Sequence, residues 1–212
     1  MRVLFVSHVG VSHGAGRSLV MLARGLLRKG HVPAVVVPRP GTLKTELGQH
    51  DIRVFEVDCP WWTVEPGTSW KVKQWYLRRI VRASGRLVPL LRRFKPDLVH
   101  TNSAVIPSGA LAARSLRLPH IWHLREHVTE HYQLRFIPGQ WISLRLIAIL
   151  SHALVAISQS VAEGYSVGPT ADQMHVVYNG VELPPDLLHR SGRENTGHTG
   201  AGTPILTILG TL

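Results

Sequence analysis

The chain is poor in cysteine, in acidic side chains and in long apolar runs, and each shortage removes a class of protein. Cys59 is the only cysteine, which excludes an internal disulfide and a thiolate-rich zinc site and suits a reducing compartment. Asp and Glu number 13 against 24 Lys and Arg, a net charge of +11. That excess points to an anionic partner: lipid headgroups, nucleic acid or phosphorylated substrates. The longest apolar stretch, residues 141–157, is broken by Arg145, Ser151 and His152, so it reads as a buried helix and then a strand rather than a membrane span. The apolar start is short and runs straight into His8, so no signal peptide is visible. These features suit a cytoplasmic protein, with peripheral attachment to the inner face of the plasma membrane where its basic surface meets anionic lipid.

What is present is a normal core. At 44% hydrophobic over 212 residues, the chain can bury one large domain, or one domain and the start of another. Apolar, β-branched runs at residues 2–7, 32–38, 52–57, 98–101, 120–123, 153–157 and 175–177 read as strands. Helical patterns at 17–29, 42–49, 70–94, 107–117, 138–150 and 159–165 alternate with them. Strands apolar on both faces, separated by helices, imply an α/β, Rossmann-like, mostly parallel sheet covered on both sides. Ligands of such sheets bind beyond the C-terminal strand ends. The polar residues expected there are His8, Asn102, Ser103, His123, Ser158 and Asn179. Residues 184–204 are rich in Gly, Pro, Thr and Ser and read as a linker, and 205–212 as the first strand of a second domain. The first domain is thus expected to span 1–183.

Three segments carry chemistry. A strand feeding Gly10-Val11-Ser12-His13-Gly14-Ala15-Gly16-Arg17 and then a helix is an anion site in form, because free N–H groups and the helix dipole point at the loop. It is not a dinucleotide fingerprint: the third glycine position holds Leu19, and the second strand ends in Arg39 rather than an acid. The Gly-Lys-Ser/Thr of a Walker loop is also missing. The alternative is a turn that only permits close strand–helix packing.

The second segment is His120-Ile121-Trp122-His123-Leu124-Arg125-Glu126-His127. His123, Glu126 and His127 match a zinc-peptidase spacing, continued by His131. That chemistry needs a helix, whereas Pro119 and the apolar residues before His123 favour a strand ending at His123. A strand-end His beside Arg and Glu is more simply a substrate-binding or catalytic cluster, or for His127 and His131 a solvated loop.

The third is residues 71–95, which hold nine Lys and Arg and no acid. Val72, Tyr76, Ile80, Leu87 and Leu91 share one side of a helical wheel; Arg78, Arg82, Arg86 and Arg93 share the other. Pro89 is expected to interrupt the helix. With Trp61, Trp62, Trp70 and Trp75 close by, Arg78, Arg79, Arg82 and Arg86 are candidates to face an anionic membrane. The alternative is a helix packed on the sheet with its arginines in water. Nucleic acid is not expected, because no recognised binding motif accompanies the charge.

Together these residues carry a resemblance. Gly14-Ala15-Gly16, Lys95-Pro96-Asp97-Leu98-Val99-His100-Thr101-Asn102-Ser103, Trp122-His123-Leu124-Arg125-Glu126, Val155-Ala156-Ile157-Ser158-Gln159-Ser160-Val161 and Val177-Tyr178-Asn179-Gly180-Val181-Glu182 stand in an order that resembles the N-terminal, acceptor-side domain of a family 4 glycosyltransferase of GT-B fold. The resemblance implies a hexosyltransferase that moves a sugar from a nucleotide diphosphate sugar to a glycan or lipid-linked acceptor, with retention and without a required metal or other cofactor. It implies that Gly14 and Gly16 approach the donor diphosphate and that His123 is the catalytic residue beside the transferred sugar. Arg125 and Glu126 would orient that sugar or touch the acceptor. Asn102 and Ser103 would line the acceptor side, and Ser158 and Asn179 the cleft. The family's basic diphosphate residues and paired glutamates belong to a second domain, so these 212 residues are expected to be inactive alone. A nucleotide-sugar epimerase of the same architecture and a non-catalytic membrane- or partner-binding module are the other readings.

Overall fold

The computed structural model describes residues 1–128, 133–166 and 168–180. The expected linker at 184–204, the strand at 205–212, the domain boundary at 183 and His131 lie outside the described residues. Met1–Asn179 form one compact unit.

Strands β1 (Arg2–Val6), β2 (Val32–Val37), β3 (Arg53–Glu56), β5 (Leu98–Thr101), β6 (His120–Leu124), β8 (Ala153–Ala156) and β9 (Met174–Val176) form one seven-stranded sheet in the order β3-β2-β1-β5-β6-β8-β9. Every neighbouring pair is parallel. The α/β, Rossmann-like expectation holds. Alternation along β1 explains the two layers. Leu4 and Val6 face a core built with α3 (Trp70–Phe94), α4 (Ser108–Ser115) and α5 (Gln140–Leu150). Val3 and Phe5 face the layer of α1 (Ala15–Arg28) and α2 (Thr42–Gly48). The chain starts in the middle, moves outward through β2 and β3, then returns by α3 to place β5 on the other side of β1. Strand order therefore reverses between β1 and β5. Beyond such a switch point a parallel sheet opens a crevice at its C-terminal edge.

Two features depart from expectation. Pro89 lies inside α3 without ending it. The residue whose carbonyl loses its partner is Gly85, and both Gly85 and Pro89 are exposed, so water can bond that carbonyl while buried Leu87, Leu91 and Phe94 hold the helix on the sheet. Helix α5 is not buried all round. Leu144, Ile147 and Ala148 pack inward, whereas Trp141, Ile142 and Ile149 are exposed and Arg145 lies 3.8 Å over the Trp141 ring.

A short antiparallel pair, β4 (Thr63–Val64) with β7 (Arg135–Phe136), was not legible in the sequence. It sets Trp62 against Trp122, with ring centroids 5.7 Å apart and planes 17° apart. Each buried indole N–H bonds the loop after β5: Trp62 Nε1 donates to the Ala104 carbonyl at 2.8 Å and Trp122 Nε1 to that of Ser103 at 2.6 Å. The loop that carries Asn102 and Ser103 is thus fixed from below. Helix α6 (Gln159–Tyr165) completes the elements that frame the crevice.

Candidate active site

The crevice begins at the glycine loop. Gly14 precedes α1 with φ 43°, a conformation that L side chains disfavour. At Gly16 a Cβ would stand 2.1 Å from the Val11 carbonyl oxygen. Both glycines are thus required by local geometry, and together they let the loop fold tightly over the start of α1. That helix has no acidic residue in its first turn and no side-chain cap, so its N-terminal partial charge is not neutralised by its own side chains, while the Gly16 N–H bonds the His13 carbonyl at 2.8 Å.

Asn102, fully buried after β5, ties three elements together. Its Nδ2 donates to the Ala15 carbonyl at 3.2 Å, its Oδ1 accepts from Arg125 Nε at 2.7 Å, and its carbonyl accepts from His8 Nδ1 at 3.2 Å. Arg125, just past the end of β6, is itself buried. Its Nη1 donates to Asn179 Oδ1 at 3.0 Å, and Ser18 Oγ reaches the same oxygen at 2.9 Å. Its Nη2 stands 3.4 Å from His123 Nδ1. No carboxylate pairs with Arg125 among the described residues. Burial lowers its pKa to about 10, opposed by the nearby Glu126 charge, so it remains a cation at neutral pH.

The tautomer of His123 follows from these contacts. A guanidinium only donates, so His123 Nδ1 accepts. His100 Nε2, 3.2 Å from the same atom, then donates as well. The single proton of neutral His123 sits on Nε2, which is buried and without a hydrogen-bond partner among the described residues. Burial, and after it Arg125, lowers the His123 pKa to about 3, so the ring is neutral at pH 7. A neutral N–H donor, a buried guanidinium and a helix N-terminus without an acid thus stand near one another at the C-terminal edge of the sheet.

Glu126 turns away from Arg125. Ser103 Oγ donates to its Oε1, as does the Ala104 N–H at 2.8 Å. Burial raises its pKa, opposed first by the Ser103 and then by the Ala104 hydrogen bond. Ser103 and Glu126 therefore brace the loop after β5. Ser158 caps α6, accepting from the Val161 N–H at 3.2 Å. His127 Nε2 lies 3.1 Å from Ser160 Oγ, and among the described residues no three His, Cys, Asp or Glu side chains gather as a metal site.

A sequence profile described as Glycosyltransferase Family 4 matches residues 12–184. The chain belongs to glycosyltransferase family 4. Its fold matches that of GT-B proteins. The crystal structure of Anabaena Alr3699/HepE in complex with UDP is similar with a TM-score of 0.61 at 22% identity, over 91% of this chain and 50% of that one. Acinetobacter baumannii MurG gives 0.53 at 15% identity, over 76% and 42%. UDP-GlcNAc 2-epimerase from Neisseria meningitidis, bound to UDP-GlcNAc, gives 0.54 at 18% identity, over 84% and 46%. The chain spans about half the length of these structures or less. No curated protein matches it.

The structure brings Asn102, His123 and Asn179 onto Arg125 and ties Asn102 to the Ala15 carbonyl between Gly14 and Gly16, all legible as strand-end or loop residues. It leaves Ser158 to a cap. Sequence reasoning missed His100 and Ser18. The signal for His100 was its strand position: β5 and β6 are paired, and His100 stands opposite Ile121, two residues before His123.

Proposed function

We propose that this chain is the acceptor-side half of a retaining hexosyltransferase that uses a nucleotide diphosphate sugar. The observation that carries the reading is Arg125, a buried cation that Glu126 influences through its charge but that no carboxylate contacts among the described residues, set near the N-terminus of α1, whose first turn holds no acid. A buried guanidinium with no carboxylate in contact is costly, and an anionic ligand bonded to it would offset that cost. The diphosphate would meet the N–H groups around Gly14 and Gly16, where leaving-group charge develops. His123 Nε2–H would donate to a hydroxyl of the transferred sugar, and being neutral it positions rather than protonates. Asn102 and Asn179 hold Arg125 for this role. No metal or other cofactor is required on this reading.

The acceptor is a glycan or a lipid-linked sugar, as in polysaccharide biosynthesis, and the enzyme works in the cytoplasm at the inner membrane face. Supporting the membrane reading, α3 exposes Trp70, Val72, Trp75 and Val81 beside Arg78, Arg82 and Arg86. Arg79 is paired with Asp58 and stacks on Trp75, so it contributes less to such a surface. Among the described residues no helix is long and apolar enough to cross a membrane. Neutralising Arg78, Arg79 and Arg82 is expected to abolish salt-sensitive binding to anionic liposomes; unchanged binding rejects the helix as its cause.

The test of the main reading is a transfer assay with labelled nucleotide diphosphate sugars, run on these 212 residues and on the full gene product. The full product is expected to transfer with retention, and these residues alone to show no turnover. Release of an epimerised nucleotide sugar without transfer would favour the epimerase instead.

A further inference from the structure

A cavity lies at the C-terminal ends of β1 and β2. It holds about 410 Å³ and is lined by His8 to Val11, Pro38 and Arg39 after β2, the 58–63 loop with Trp61 and Thr63, and Tyr76 and Arg79 of α3. That volume falls within the range of small-molecule sites, about 300–1,000 Å³.

Its lining is chemically specific. Trp61 is 38% exposed, and its ring centroid stands 6.0 Å from that of His8 at a tilt of 54°, an aromatic platform on which the C–H face of a sugar ring can stack. Thr63 is buried, and its Oγ1 has no hydrogen-bond partner among the described residues. A buried hydroxyl left unpaired is costly, and in a cavity wall it is placed to be satisfied by a ligand. The paired Asp58 and Arg79 side chains offer an acceptor and a donor for vicinal hydroxyls. His8 Nδ1 donates to the Asn102 carbonyl, which leaves Nε2 a lone-pair acceptor. Arg39 is exposed and has no carboxylate partner among the described residues. Its fork suits a carboxylate or a phosphate group.

We propose that this cavity binds an anionic pyranoside, a sugar carboxylate or sugar phosphate, with Trp61 stacking on the ring and Arg39 selecting the negative charge. The proposal rests on the transferase reading only in naming that ligand the acceptor. The switch point then separates two sites: donor chemistry at Arg125 and His123 on one side of His8, acceptor selection at Trp61 and Arg39 on the other.

Isothermal titration of the 212-residue chain tests it without any turnover. The probes are methyl β-D-glucuronide, glucose 1-phosphate, methyl β-D-glucoside and inorganic phosphate. At least one anionic sugar is expected to bind about tenfold or more tightly than the neutral glucoside and than phosphate alone. Its rank against the other anionic sugar tells carboxylate from phosphate. Arg39→Gln is expected to erase that margin while near-UV circular dichroism stays native, and Trp61→Ala to weaken every sugar. Equal binding of neutral and anionic sugars, binding of phosphate alone as tight as the sugar phosphate, a margin that survives Arg39→Gln, or no sugar binding at all would each overturn the proposal. A transfer assay that fails while the anionic margin holds would instead remove the transferase reading and leave the cavity as a binding site.

Discussion

The two sides of the β1–β5 switch point are built on opposite terms. On the Arg125 side the polar groups bond one another: the Asn102 side chain and carbonyl make three hydrogen bonds, and the guanidinium uses all three of its nitrogens. The one group left over, His123 Nε2–H, is buried without a hydrogen-bond partner among the described residues. On the Trp61 side the platform is partly exposed, Arg39 is in solvent, and the Asp58–Arg79 pair lies in the cavity wall. The first arrangement fixes tautomer and orientation before a ligand arrives, the condition for electrostatic stabilisation without reorganisation. The second has freedom to select among ligands. On the proposed function, chemistry would rest on buried strand ends and selection on an open loop, which would let the ligand range vary without disturbing the reaction centre.

The contrast can be broken most sharply at Arg125. Arg125→Ala leaves Asn102 Oδ1 without its donor and His123 Nδ1 with His100 alone, and removes the cation of the bonded cluster. A loss of about 2–4 kcal/mol in stability is expected by denaturant titration of the chain. Transfer by the full gene product should fall more than about a hundredfold. Arg125→Lys should rescue little, because an ammonium cannot span three acceptors.

Gly16→Ala comes next. The added methyl would lie 2.1 Å from the Val11 carbonyl oxygen, so the glycine loop must shift. About 1–3 kcal/mol of stability is expected to be lost, together with donor affinity in the full product. Trp61→Ala should cost far less stability, since that ring is 38% exposed, while removing sugar binding. Similar stability losses for both variants would erase the distinction between the two sides.

Acidity gives a third test. Burial lowers His8 to about 4 and His120 and His123 to about 3, and holds His100 well below its usual value. Groups with depressed histidine pKa values bind more protons unfolded than folded once pH falls below about 6.5. The stability they confer is therefore complete above that pH and declines as pH falls toward their folded values, by about 1 kcal/mol per histidine at pH 5.5. Glu126, raised by burial, acts with the opposite sign: its contribution favours folding at low pH and is lost as pH rises above its unfolded value. Four histidines outweigh one carboxyl, so melting temperature should drop between pH 7 and pH 5. A flat profile would contradict the burial of these rings.

The smallest effect is expected at Asn179, which is exposed. Asn179→Ala removes the acceptor shared by Arg125 and Ser18 and should cost less than about 1 kcal/mol in a thermal melt.

Much of this is legible in the amino-acid sequence. Strands apolar on both faces gave the sheet and its cover, and polar residues at strand ends gave Asn102, His123 and Arg125, because period and position encode them directly. The cavity at Trp61 was not legible. It is assembled by residues 39, 61, 63 and 79, which no local period connects and which only the return of α3 and the β4–β7 pair bring together. Pro89 and α5 were misread for a related reason. Whether a helix tolerates proline, or buries an apolar residue, depends on what the rest of the chain packs against it.

The central claim is that His123 is a neutral imidazole with its proton on Nε2. Two-bond proton–nitrogen NMR of the histidine rings at pH 7, with His123 assigned by its absence in His123→Gln, reads this directly. The account predicts a protonated Nε2 and a bare Nδ1 for His123. A proton on Nδ1, or a doubly protonated imidazolium, would contradict it.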